Sequence, residues 1–468
     1  MAFPFSEERY NYDLYPKVVV AGKPVTVHIR NLGNRPCFAP GETVTWRLIG
    51  MEGGAQEVYP ASADEVKLEM ACDGAGAFDF THTFGREQEY TLVARYKNFY
   101  GQDAELCLHL FCVAEDLAGR YPLMGDLHMH TCRSDGSQTP EVVSAMYRAH
   151  GYDFFAITDH HRYYPSLEAI RFYQDLPIEF LIVPGEEVHM PTVYGGWPSG
   201  HIVNFGGEYS VNAMVEDVQT QEVGTDKSTR AIREDCPEVM TRAEYEAKMQ
   251  ALADATVVPE GVDALPVAVY RFVYDEIRKA GGLGIFAHPR WLWDHTAHVP
   301  DPVNDYLVEN RLFDAFEVLG GERYYEHNGF QTQRYYEDRA RGYRYPVVGS
   351  TDSHCCYDYN PCAFICSTIV FSPEIERKAI IRSIKDFYSV AVDTISREFR
   401  LVGEMRLCRY ACFLLKYYFP LHDELCREEG MQMKRYATGT PEEKEQAKKT
   451  LACLYGRVAA LRKKYFDF

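Results

Sequence analysis

The stretch that decides the reading is Gly125-Asp126-Leu127-His128-Met129-His130-Thr131. In an extended chain alternate side chains share a face, so His128 and His130 project the same way and make a natural start to a metal site. Shortly after them Asp135 stands in the turn Ser134-Asp135-Gly136, near enough along the chain for its carboxylate to reach the same place. A His-x-His pair alone is equally compatible with a structural role, so its meaning depends on what the rest of the chain supplies.

Downstream, imidazoles and carboxylates recur where short apolar runs end. Ile157-Thr158-Asp159-His160-His161 closes an expected strand over 152–158, and Pro184-Gly185-Glu186-Glu187 follows one over 180–183. Gly200-His201, Ala287-His288-Pro289 and Ser350-Thr351-Asp352-Ser353-His354 complete the series, with further strands expected over 284–287, 315–319 and 346–349. These runs alternate with helical segments, one opened by Thr139-Pro140-Glu141 and closed by Gly151. That is the grammar of a parallel α/β arrangement, whose strand ends converge on one mouth where active sites form. Adjacent residues of a strand face opposite ways, so one of Glu186 and Glu187 enters the site. Outer partners that orient histidine ligands are also needed, and the other glutamate, Asp126 and Asp159 are suited to that role. Glu317, on an expected strand, is read either as facing the pocket or as a buried pairing group.

Upstream, the pattern has period two. Val25, Val27 and Ile29 alternate with Thr26, His28 and Arg30, and Val44, Trp46 and Leu48 alternate with Thr43, Thr45 and Arg47. Further runs over 90–96 and 106–112, with turns such as Asp73-Gly74-Ala75-Gly76, predict an antiparallel β-sandwich of Ig-like architecture over 1–120. Residues 208–265 interrupt the α/β rhythm with an acidic stretch too long for a simple connection, containing a helix near 242–253. It reads either as a lid or as a surface insertion. From 397 to 468 the chain reads as a helical extension. The capping box Thr440-Pro441-Glu442-Glu443 there precedes a stripe of Ala447, Leu451, Leu454, Val458, Leu461 and Tyr465 that must pack on its own domain or on a second copy in a homo-oligomer.

Composition bounds the function. At 468 residues the chain fits two or three domains, and no apolar run is long enough to span a bilayer. The start of the chain lacks the basic and apolar regions of a secretion signal, so a cytoplasmic location is expected, with the 14 cysteines as free thiols. A net charge of -19 disfavours nucleic acid as a general partner. It does not disfavour a small anionic substrate, because bound cations invert the local field.

The ordered strings from Gly125-Asp126-Leu127-His128-Met129-His130 to Asp352-Ser353-His354 resemble the motifs of the PHP (polymerase and histidinol phosphatase) superfamily of metal-dependent phosphoesterases, over about 123–392. The resemblance implies a distorted (β/α)7 barrel for the domain 121–396, holding two or three divalent ions. By motif position His128, His130, Glu187 and Asp352 would hold one ion. Glu187 would be shared with a second ion held by His201 and His288, and Asp135, His160 and His354 would hold a third. Glu187 is preferred to Glu186 because the family glutamate falls two residues after the glycine. Asp135 departs from the histidine that some members carry there. His161, His189, His295 and His298 match no ligand motif.

Such a mixed imidazole and carboxylate set suits zinc, manganese or iron. Paired cations hold a bridging hydroxide as nucleophile and stabilise an in-line phosphoryl transition state, so a small phosphomonoester or phosphodiester is the expected substrate. Arg290, directly after His288-Pro289, is the first candidate for binding the phosphate, with Arg162 and Arg133 as weaker ones. The alternatives are an amidohydrolase-like hydrolase of C–N or C–O bonds and a non-catalytic, metal-stabilised binding protein.

Overall fold

The computed structural model describes residues 10–33, 37–53, 66–98, 100–195, 200–216, 236–293, 296–320, 325–356, 364, 366–394 and 400–468. The chain divides into two compact units, the first formed by Met1–Arg120, Met405–Leu425 and Gly456–Phe468, the second by Tyr121–Glu404 and Cys426–Tyr455. The C-terminal segment read as a separate helical extension is therefore shared out between the two.

In the first unit, β1 (Tyr12–Tyr15), β3 (Pro24–Asn31) and β6 (Phe78–Thr83) form an antiparallel sheet in the order β1-β3-β6. A second sheet runs β2 (Val18–Val20), β8 (Asp103–Val113), β7 (Gln88–Lys97), β4 (Thr43–Gly50) and β5 (Val66–Ala71). Its ladders are antiparallel except for the parallel pair β2 and β8. The alternation in the sequence is what builds the layer between them: Val27, Ile29 and Phe78 from one sheet meet Trp46, Leu48, Leu92 and Leu108 from the other in one buried cluster. Trp46 packs edge-on against Phe78 with ring centroids 5.3 Å apart.

The expected long C-terminal stripe is broken. Helix Pro441–Leu454 starts on the Thr440 capping box and ends before Gly456, whose φ of 86° no helix continues, and Arg457–Tyr465 follows as a separate helix. Ala447, Leu451, Val458 and Tyr465 are buried, whereas Leu454 and Leu461 are only half-buried.

In the second unit, β9 (Tyr121–Asp126), β10 (Phe154–Ala156) and β11 (Leu181–Val183) pair in parallel. Next come β12 (Gly185–Val188), β13 (Ile202–Phe205), β14 (Leu283–Phe286), the small hairpin of β15 (Leu292–Trp293) and β16 (Thr296–Ala297), β17 (Ala315–Leu319) and β18 (Val347–Gly349). Then β19 (Cys366–Ser372), β20 (Ser389–Asp393) and β21 (Arg400–Gly403) complete the strands. The ladders give two sheets, β11-β10-β9-β19-β20-β21 and β12-β13-β14-β17-β18, and not one continuous parallel barrel; β13 is antiparallel to both its neighbours. Two isolated parallel bridges, His160 with Glu187 and Met129 with Ser353, connect the sheets at the ends of β10 and β9. Gly125 permits the tight start of this layer, since a Cβ there would lie 2.0 Å from the ring of Phe154.

The described part of 208–265 is anchored, not loose. Val211, Met214, Met240, Tyr245 and Met249 belong to the main apolar cluster, and the capping box of Thr241 and Glu244 opens helix Arg242–Asp254. The lid reading falls largely on 217–235, outside the described residues. Among the described residues no helix is long and apolar enough to cross a membrane, and the cysteines are free thiols.

Candidate metal centre

The ligand-type residues gather at and just beyond strand ends, except that Glu187 lies within β12 and His201 directly precedes β13. His128 and His130 sit just beyond β9, where Asp352 N–H donates to His128 O (2.8 Å) and His130 N–H to Ser353 O (2.9 Å). Asp126 and Asp159, expected to orient imidazoles, instead hold backbone. Asp126 accepts from Thr351 Oγ1 (2.6 Å), Thr351 N–H (3.0 Å) and His128 N–H (3.2 Å). Asp159 accepts from Thr131 Oγ1 (2.6 Å), Thr131 N–H (2.8 Å) and Ser134 Oγ (2.5 Å), fixing the turn that carries Asp135. Burial pushes the Asp126 carboxyl up to about 6 despite these donors. His288 and Asp352 have φ of 26° and 47°, sparsely populated for non-glycine residues, so the surrounding fold holds them in place.

Glu187 is the hub. Its Oε2 lies 2.6 Å from His160 Nδ1 and 3.4 Å from His128 Nε2, His130 Nε2 and His189 Nε2. Its Oε1 lies 2.8 Å from His201 Nδ1 and 3.3 Å from His288 Nε2. Asp352 Oδ1 stands 2.9 Å from His130 Nε2 and 3.3 Å from His128 Nε2. Asp135 Oδ2 is 3.4 Å from His160 Nε2 and 3.2 Å from His354 Nε2, with His130 Nδ1 4.0 Å from its other oxygen. The nine residues marked by motif position are thus brought together, with the His130 ring between two of the groups.

Glu186 faces the other way. Its carboxylate accepts from Val211 N–H (2.6 Å), Ser210 Oγ (2.7 Å), Asn204 Nδ2 (3.0 Å) and Asn212 Nδ2 (3.2 Å). Glu317 lies behind the site, with Oε2 3.0 Å from His128 Nδ1 and Oε1 accepting from His288 N–H at 3.0 Å. The arginines nominated for phosphate are engaged: Arg290 pairs with Asp301, and Arg133 with Glu168 at 2.6 Å. Arg162 is buried.

His189 is the member that sequence reasoning missed. It lies two residues beyond Glu187 and so shares its face, which was the available signal. Its Nε2 is 2.9 Å from His160 Nδ1, and its ring stacks on His201 at 3.8 Å between centroids.

The electrostatics suit cations. Burial alone would push Glu187 up, but His160, His201, His128 and His189 hold its carboxyl well below the usual range. Burial likewise opposes charging His128, yet Asp352, Glu187 and Glu317 raise it. His130 is pushed down to about 3 by burial and by His160 and His354, which leaves a neutral imidazole of the kind that binds metal. Burial lowers His354, but hydrogen bonding to Asp135 outweighs it and takes His354 up to about 9.

The donor set fits divalent ions. Buried His128 Nε2 and His130 Nδ1 make no hydrogen bond, although buried polar atoms ordinarily do. Ligand atoms converge within 4.8 Å of one another in four groups: His130, Asp135, His160 and His354; His128, Glu187 and His288; His128, His130 and Asp352; and His160, Glu187 and His189.

No family model matches the sequence, and no curated protein does. Among solved structures the chain is similar to a two-domain protein from Bacteroides vulgatus containing a predicted PHP-like metal-dependent phosphoesterase, at 17% identity over 62% of this chain and 69% of that one, TM-score 0.40. It is also similar to a candidate metal-dependent phosphoesterase from Bifidobacterium adolescentis, at 17% identity over 49% and 87% of the two chains, TM-score 0.30. An amidohydrolase from Chromobacterium violaceum with bound sulfate and no metal is similar at 19% identity over 51% and 93%, TM-score 0.30.

Proposed function

We propose that this protein is a metal-dependent phosphoesterase of the PHP type, hydrolysing a small phosphomonoester or phosphodiester. The observation that carries the reading is Glu187, one buried carboxylate ringed by six imidazoles, an arrangement that suits a ligand shared between ions. The seven-strand barrel belongs to the same proposal. The bridges from His160 to Glu187 and from Met129 to Ser353 support a ring of β9, β10, β12, β13, β14, β17 and β18 around the centre.

In this reading His128, His130, Glu187 and Asp352 hold one ion, Glu187 with His201 and His288 a second, and Asp135, His160 and His354 a third. Zinc, manganese and iron all suit the donors. Ions held there supply Lewis-acid stabilisation of phosphoryl oxygens and activate water near neutral pH. The chain's part is to preset the donors. Glu317 fixes the His128 tautomer so that Nε2 keeps its lone pair toward the centre, and Asp126 and Asp159 pin the loops that carry His128, Asp135 and Asp352.

Turnover is tested by loading the full chain with manganese, zinc or iron and offering phosphate esters beside amides and lactones. Release of inorganic phosphate or of a phosphomonoester supports the reading, and turnover confined to amides or lactones overturns it. A second reading, an amidohydrolase-like hydrolase, is favoured by one observation: Arg290 and Arg133 are occupied by Asp301 and Glu168.

A further inference from the structure

We propose that an apolar pocket beside His201 receives the organic group of the substrate, so that the site takes esters of compact aromatic or branched apolar alcohols in preference to polyols. The proposal rests on the phosphoesterase reading for the bond that is broken, and names the substrate class at that same centre.

The pocket has a cavity volume of about 100 Å³ and lies among Gly200, Pro266, Tyr270, His298, Val299 and Val303. It abuts the metal centre in two ways. Gly200 directly precedes His201, and the His298 ring lies 4.6 Å from that of His201, with Trp291 5.3 Å from His201 and 5.0 Å from His298. A group on an ester oxygen near His201 therefore has an aromatic and aliphatic wall on this side.

Glycine at 200 lets the backbone before His201 pack directly on this wall, because a Cβ there would fall 1.9 Å from the Tyr270 hydroxyl and 2.8 Å from Val299 Cγ2. Val299, Val303 and Tyr270 are buried, so the wall is a fixed part of the apolar core. The carboxylate among the lining residues belongs to Asp263, which is exposed and caps helix Ala264–Lys279 by accepting from Leu265 N–H at 2.9 Å. A negative group at the rim disfavours a second phosphate. Polyol hydroxyls set against Pro266, Val299 and Val303 lose water and meet few partners, the Tyr270 hydroxyl and the His298 ring among them, whereas a ring or branched alkyl group gains by leaving water.

The test compares kcat/KM of the metal-loaded full chain for benzyl phosphate and glycerol phosphate, both esters of primary alcohols. It also measures benzyl alcohol binding by saturation-transfer NMR, which needs no turnover. The expected result is a preference for benzyl phosphate of about ten-fold or more, reduced by Val303→Trp, together with benzyl alcohol binding that Val303→Trp weakens. Val303→Ala, with the folded state checked by thermal melting, serves should the tryptophan variant not fold; it is expected to shift the preference toward bulkier esters. Hydrolysis of both esters without preference overturns the pocket and leaves the phosphoesterase standing. Benzyl alcohol binding that responds to Val303→Trp, with neither ester hydrolysed, supports the pocket and removes the phosphoesterase. Absence of both preference and binding overturns the pocket.

Discussion

His128 Nδ1 lies 3.0 Å from Glu317 Oε2, and both side chains are fully buried. The other oxygen of the same carboxylate accepts from His288 N–H at 3.0 Å, so one group from β17 governs two histidines of the centre. With the Nδ1 proton committed to Glu317, His128 keeps its Nε2 lone pair for an ion that Glu187 and Asp352, whose oxygens stand 3.4 and 3.3 Å away, would share.

Glu317→Ala is therefore expected to weaken metal binding by roughly 10–100-fold, since carboxylates behind histidine ligands have effects of that size. Competition titration against a chromogenic chelator measures it. Unchanged affinity would mean that His128 is oriented by packing alone.

Glu186→Ala separates the two adjacent glutamates. It strips the acceptor from four donors in a buried place, so stability should fall by roughly 3 kcal/mol or more. Denaturant unfolding checks the loss, and metal stoichiometry of the folded fraction should match the wild type. A stable variant that loses metal would reverse the roles of Glu186 and Glu187.

Glu404 supplies a pH signature away from the centre. Hydrogen bonds from Arg339, opposed by partial burial, hold its carboxyl below the usual range, with Arg344 adding to them. A folded pKa below the unfolded one means the stabilisation is present above the unfolded value, about 4.3, and disappears as pH falls through the folded value. Glu404→Gln should thus cost about 0.5–1 kcal/mol at neutral pH, and the gap to wild type should close in acid. Urea unfolding across pH reads this; a gap that widens in acid contradicts it.

Much of the site was legible because its signals are local. A histidine or carboxylate after several of the apolar runs marks a strand end, and the alternation in β3 and β4 marks half-buried strands. His189 stayed hidden because its only mark is a shared face with Glu187. The pairing of Arg290 with Asp301 joins a loop to the start of another helix, which spacing does not encode. The helix break at Gly456 was masked by a stripe that continues in register on both sides. The two-sheet connectivity was hidden for another reason: β13 reads as a short apolar run whichever direction it takes, so its antiparallel pairing leaves no trace in composition.

The central claim is that Glu187 is a ligand shared by ions within one centre. Elemental analysis of the full chain, wild type against Glu187→Gln, tests it most directly. The account predicts more than one equivalent of transition metal in the wild type and a clear loss in the variant, with the fold retained. Wild-type protein that retains no transition metal after loading and desalting, or a variant with unchanged content, would contradict it.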